Sequence, residues 1–128
     1  MIGDGAKQRR DRLVEGTYLI FEASPTAHVY EALCLHNDWT GLERLHKQLR
    51  DRTRLIANSL RSDGFTILNC SAGNVTAHAL SCSRSDADLH EDIASLCDKQ
   101  IVYQLGIGSS LRAAYLALQL YETRCEHR

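Results

Sequence analysis

Glu22, Ser24 and Thr26 follow a short apolar run, and Ser71 and Asn74 frame a glycine-containing segment between two further strand-like runs. Together they offer one carboxylate, three hydroxyls and one amide. Hydroxyls and amides both donate and accept hydrogen bonds, so such a set can hold a base or a phosphate without a metal. A lone carboxylate is a poor anchor for a divalent cation, which takes several oxygen ligands. Ser109 and Arg112 open the last helical stretch and add a hydroxyl and a guanidinium. Gly106-Ile107-Gly108 precedes that helix, whose free N–H groups attract anions. A tight turn with no ligand explains the same glycines equally well.

Other chemistry-bearing residues read more simply as structure. His28, His36, His46, His78 and His90 form no His-x₃-His pair, and the cysteines form no Cys-x-x-Cys. His78 and Cys82 lie four apart on an expected strand, too far to chelate alone. Cys34 or Cys70 as a nucleophile requires an adjacent base and a lowered pKa; buried thiols are the simpler reading. Arg50, Arg52, Arg54 and Arg61 are diluted by Glu43, Asp51 and Asp63, and no aromatic residues interleave with them as in a single-strand stacking platform. They read as the solvated face of a helix, and the chain has no strong nucleic-acid signal.

The elements that must position these residues follow from periodicity. Thr17-Tyr-Leu-Ile-Phe21 is a β-branched and aromatic strand ending at Glu22-Ala-Ser-Pro25, where Ser24 can cap a helix and Pro25 can sit in its first turn. A helix over about 26–36 carries Val29, Tyr30 and Leu33. Thr40-Gly-Leu-Glu43 then offers a capping box for a longer helix with the stripe Leu42, Leu45, Leu49, Ile56 and Leu60, stopped by Ser62-Asp63-Gly64. Residues 65–70 and 75–80 are the arms of a hairpin turning at 71–74. Ser85-Asp86 caps a third helix with Leu89, Ile93 and Leu96 inward, 101–105 is a fourth strand, and 106–108 is a turn. The last helix starts near Ser110 with Leu111, Ala114, Tyr115 and Leu118 on its apolar face. The order β-α-α-β-β-α-β-α predicts an α+β, ferredoxin-like domain, an antiparallel sheet with helices packed mainly on one face. In that topology residues 22–26 and 71–74 converge on one surface.

Composition bounds the rest. A chain of 128 residues suits one domain, here 17–128, with 1–16 as a flexible lead-in of alternating charge. At 44% apolar and 24% charged residues, with net charge −1, the chain is an ordinary globular sequence, and an overall positive field for nucleic acid is excluded. No apolar stretch approaches the roughly 18 residues of a membrane span, and the basic start precedes no signal-peptide core. Five cysteines at irregular spacing do not make a secreted disulfide framework. A cytoplasmic location is the expectation.

Four segments carry a resemblance to a known family: Phe21-Glu-Ala-Ser-Pro-Thr26, Leu35-His-Asn-Asp38, Cys70-Ser-Ala-Gly-Asn74 and Gly106-Ile-Gly-Ser-Ser-Leu-Arg-Ala-Ala-Tyr-Leu-Ala-Leu118. In order over residues 17 to about 124, the chain resembles the minimal CRISPR polymerase family, stand-alone relatives of the GGDEF-type cyclases and of palm domains that make cyclic oligonucleotides. The last segment is the sharpest match. The resemblance implies a palm fold that binds a nucleoside triphosphate with two divalent metals, held by acids after the first strand and by an Asp at a Gly-Gly-Asp hairpin.

At each of these places the chain departs from the pattern. Only Glu22 remains of the first acid cluster, Ser24 and Pro25 stand where acids or Asn are usual, and Ser71-Ala72-Gly73 replaces Gly-Gly-Asp. The Cβ atoms of Ser71 and Ala72 are expected to crowd the approach that paired glycines permit. Gln119 and Glu122 occupy the positions of phosphate-facing lysines. The resemblance therefore implies a catalytically degenerate palm, a pseudoenzyme of antiviral nucleotide signalling of the CRISPR-like or Panoptes type. It would bind a nucleotide or cyclic nucleotide through Glu22, Ser24, Thr26, Ser71, Asn74, Ser109 and Arg112, or pair with another palm domain or a second copy. One alternative is a divergent active synthase with acids supplied by a partner and Mg or Mn as cofactor. The other is a purely structural interaction module.

Overall fold

The computed structural model describes residues 14–97 and 101–126. Residues 1–13 of the expected lead-in lie outside the described residues. Two of its described residues are tied to the sheet: Tyr18 Oη donates to the Val14 carbonyl at 2.8 Å, and the His78 ring nitrogen lies 2.8 Å from the Glu15 carbonyl.

The first strand, β1 (Thr17–Pro25), is an inner strand of the sheet, and its run is apolar at consecutive positions because both of its faces are covered. Leu19 and Phe21 point to one side, Ile20 to the other, and all three are buried. With β2 (Thr66–Ser71), β3 (Asn74–Ala79) and β4 (Ile101–Gly108) it forms an antiparallel sheet in the order β2-β3-β1-β4, the ferredoxin-like arrangement. The helices are α1 (Ala27–Leu35), α2 (Trp39–Ser62), α3 (Asp86–Leu96) and α4 (Leu111–Glu126). None of the helices among the described residues is long and apolar enough to cross a membrane.

The main core lies between the sheet and helices α2 and α3. Leu19, Phe21, Val75, Ala77 and Leu105 from the strands meet Ile56, Leu60, Leu89 and Ile93. The stripe of α2 is buried at Leu45, Leu49, Thr53, Ile56, Ala57 and Leu60, while Leu42 is half-buried beside α1. Helix α4 crosses to the opposite face, where Ala114 and Leu118 cover Ile20. The one-face packing expected from the sequence thus describes α2 and α3, with α4 as the helix of the second face.

Several boundaries differ from the local signals. Instead of ending at Phe21, β1 continues to Pro25, because residues 22–25 pair with 101–104 of β4. Pairing of β1 with β3 stops at Glu22 and Asn74, so Pro25, which has no N–H to give a ladder, lies where β4 alone flanks it. Ser24 therefore caps nothing, and Thr26 takes the N-cap position of α1 without a side-chain cap bond. At α2 the cap is Asp38, whose Oδ1 accepts from Gly41 N–H at 2.9 Å, and Thr40 lies inside the helix. Ser85 caps α3 as expected, accepting from Asp88 N–H at 3.1 Å.

The largest difference concerns Gly106 and Gly108, which belong to β4 and not to a turn. A Cβ on Gly106 would collide with the Ala114 carbonyl, and one on Gly108 would come within 2.7 Å of the Ala113 Cβ. Bare backbone in the strand and alanines in the helix let α4 lie directly on the sheet. That contact turns Ala114 and Leu118 inward and leaves Leu111 and Tyr115 about half exposed, so these two are not part of the buried face expected for them.

Candidate functional site

Cross-strand partners in an antiparallel pair place their side chains on the same face. Ser71 pairs with Asn74, Asn74 with Glu22, and Glu22 with Gln104. One polar row, Ser71–Asn74–Glu22–Gln104, therefore crosses all four strands near the end of the sheet. It stands on the face that α4 covers, one register step past the buried Ile20–Gly106 pair. Ser24, one step further, pairs with Val102 and is exposed. The Asn74 amide is held in place: its Oδ1 accepts from Asn69 Nδ2 at 2.7 Å. Thr26 follows at the entry to α1, its Oγ1 buried and without a hydrogen-bond partner among the described residues.

The convergence expected from topology thus holds for Glu22, Ser71 and Asn74, while Ser24 and Thr26 follow along the chain past the last β1–β3 pair. Ser109 and Arg112 do not join them. Because β4 runs on to Gly108, which pairs with Tyr18, both residues are carried to the other end of the sheet, about 13 Å away along β1 at ~3.3 Å per residue. There Ser110 Oγ already accepts from Ala113 N–H at 3.0 Å, capping α4 itself. From that end α4 returns along β4 until Tyr121 stacks on Tyr103 at 5.7 Å and on His90 at 5.5 Å. Gln119, on this returning stretch, donates to Tyr115 Oη at 3.2 Å.

The hairpin turn is fixed from two sides. Gly73 N–H donates to Thr53 Oγ1 at 3.0 Å, and its carbonyl accepts from Ala23 N–H at 2.8 Å. Thr53, only 2% exposed, donates its own hydroxyl proton to the Leu49 carbonyl at 2.7 Å. Gly73 has φ of 84°, a left-handed value that side chains resist, and a Cβ there would run into the Ala23 carbonyl. The crowding anticipated at Ser71 and Ala72 resides instead at position 73: both of those residues are exposed. An acid at 73 has no room in this turn.

Sequence reasoning missed two further contributors to the row. Gln104 completes the row, and the available signal was a lone polar residue inside the apolar run 101–105. Asn69, which orients Asn74, is displaced from simple alternation by a register shift between Ile67 and Asn69. Arg50 and Arg54 are exposed, as expected of a solvated face, and they also line a pocket of ≈ 210 Å³ with Thr53, Cys70, Ser71 and Ala72. Arg50 also borders a groove of ≈ 440 Å³ lined by Tyr30, Trp39, Leu42, Glu43 and His46 between α1 and α2.

Among the described residues no three His, Cys, Asp or Glu side chains gather as a metal-holding group. A pair of Mg or Mn ions does not fit the polar row either, since Glu22 is its one carboxylate. Cys34 and Cys70 are exposed and Cys82 and Cys97 half-buried, all as free thiols, which corrects the expectation that the first two are buried. Compared with known proteins, the chain matches no family model, no curated protein and no solved structure.

Proposed function

We propose that this chain is a catalytically degenerate, nucleotide-cyclase-like palm domain that binds a nucleotide or cyclic nucleotide and serves antiviral nucleotide signalling of the CRISPR-like or Panoptes type. The observation that carries the reading is the row Ser71–Asn74–Glu22–Gln104, which has hydrogen-bonding groups in line and a single negative charge. Its amides and hydroxyl can satisfy a base or sugar, and its one carboxylate leaves a polyphosphate without the cations that phosphoryl transfer requires. The clash at position 73 supports the same conclusion, because the turn cannot take up the missing acid without rearranging.

Pairing with another palm domain or a second copy is part of this proposal. Helix α1 buries none of its residues, and Leu35 at its end and Trp39 at the start of α2 are 73% and 72% exposed. Large apolar side chains left in water beside the groove between α1 and α2 suit a partner surface. A partner is also the one source of further acids for a divergent active synthase, which keeps that second reading open to test.

Thermal shift with ATP, GTP and cyclic dinucleotides tests the binding. A rise in Tm of several degrees that Asn74→Ala or Glu22→Gln reduces is the expected result. No shift with any of them removes the reading in favour of a structural interaction module. A cyclic product that disappears in Glu22→Gln establishes the active synthase instead.

A further inference from the structure

We propose that the pocket between α2 and the hairpin turn is a metal-free phosphoryl site, in which Arg50 and Arg54 neutralise the charge of a bound phosphoryl group. Residues four apart lie on the same side of a helix, so both guanidinium groups face one opening. The pocket also presents Cys70, Ser71 and Ala72 of the hairpin, and no carboxylate lines it. Glu43, the one acid in the adjoining groove, lies two helical turns before Arg50, about 10 Å by helical rise.

Three observations distinguish this pocket from an ordinary solvated surface. First, among the described residues neither arginine has an ion-pair partner; the pair that does form joins Arg84 and Asp92 elsewhere. Like charges four apart on a helix repel, and a bound dianion relieves that repulsion. Second, the guanidinium fork matches phosphate oxygens with two parallel hydrogen bonds and stays charged at every relevant pH. Third, the floor is preorganised. Thr53 is saturated by Leu49 and Gly73, so the turn that forms the far wall is fixed before a ligand arrives.

The volume of ≈ 210 Å³ is several times the ~30 Å³ share of a water molecule, enough for a phosphoryl group with its nearest waters. The shared chemistry is a phosphoryl dianion, whose source is either a nucleoside polyphosphate or an inorganic one. The proposal rests on the nucleotide reading only for the choice between these sources.

Titration calorimetry of the full chain with inorganic pyrophosphate and, separately, with ATP tests it, with EDTA present to remove divalent cations. Both ligands are expected to bind, with Arg50→Ala and Arg54→Ala each weakening affinity about tenfold or more, the loss of a charge-assisted hydrogen bond. Arg54→Lys keeps the charge without the fork and should fall between wild type and Arg54→Ala. Arg61→Ala, on the same helix but bonded to Asn58, is the control for general charge and should leave binding close to wild type. Arg50 and Arg54 are exposed, so these variants keep the core intact.

Pyrophosphate binding that depends on Arg50 and Arg54, with ATP no tighter, upholds the pocket and counts against the nucleotide reading. ATP binding indifferent to both arginines overturns the pocket and leaves that reading standing. Absence of binding by either ligand, or an equal loss in all three alanine variants, also overturns the pocket.

Discussion

Gly73 N–H and Thr53 Oγ1 are joined across the fold at 3.0 Å, linking the tip of the hairpin to the middle of α2. Together with the core packing of α2 on the sheet, this bond holds the end of the sheet that carries Glu22, Asn74 and Ser71 to the helix that carries Arg50 and Arg54. Both candidate ligand surfaces therefore share a common support.

Removing the Thr53 hydroxyl should loosen both surfaces. Thr53→Val keeps the shape of the side chain but leaves Gly73 N–H without its partner in a buried place, a loss of about 1–3 kcal/mol. Thr53→Ser retains the hydroxyl and should recover most of that. Chemical denaturation of the three proteins checks the order wild type, Ser, Val.

Placing an acid at the turn should fail. Gly73→Asp meets both the positive φ and the Ala23 carbonyl, so it should destabilise by about 1–3 kcal/mol. Mn²⁺ should bind the variant no better than wild type. Gain of metal binding with unchanged Tm would show that the turn adapts more readily than its hydrogen bonds indicate.

Gly106→Ala tests the contact that sets α4 on the sheet. The added methyl meets backbone atoms of Ala114 and Leu118, which cannot move without shifting the helix, so overpacking of about 1–3 kcal/mol is expected. Gly64→Ala is the contrasting control: nothing lies near its Cβ, and its φ of 93° isolates the cost of backbone strain alone. Hydrogen exchange along α4 should rise in the first variant and not in the second.

Thiol labelling should separate the cysteines by environment. Burial pushes the Cys97 thiol from the ordinary 9.0 up to about 11, with nearby Arg52 partly opposing the shift. At pH 8 it should alkylate more slowly than the exposed Cys34 and Cys70. The folded chain holds this proton more tightly than the unfolded one, so the corresponding stability is fully present below about pH 9 and is lost as pH rises through about 11. Faster labelling of Cys97 than of Cys70 contradicts this ordering.

What could be read from the sequence was what is encoded locally. The apolar run at 17–21, the Leu45 to Leu60 stripe and the glycine turn at 73 each announce their element, and the element order alone brings Glu22 beside Asn74. Tertiary contacts decided the rest. Ser24 and Pro25 carry helix-start signals that lost to pairing with Val102 and Ile101. Gly106 and Gly108 resemble turn residues because sequence does not show Ala113 and Ala114 pressing on them. The longer β4 that results is why Ser109 and Arg112 were expected in a site that they do not reach. Arg50 and Arg54 are exposed as their helical pattern predicts, but that pattern shows the helix alone, without the hairpin packed beside it.

Native mass spectrometry of the full chain after incubation with ATP, GTP and Mn²⁺ tests binding without turnover most directly. The account predicts a retained, chemically unchanged nucleotide on the protein, diminished in Asn74→Ala. A bare protein mass in every condition, or a cyclic nucleotide product released into solution, would contradict it.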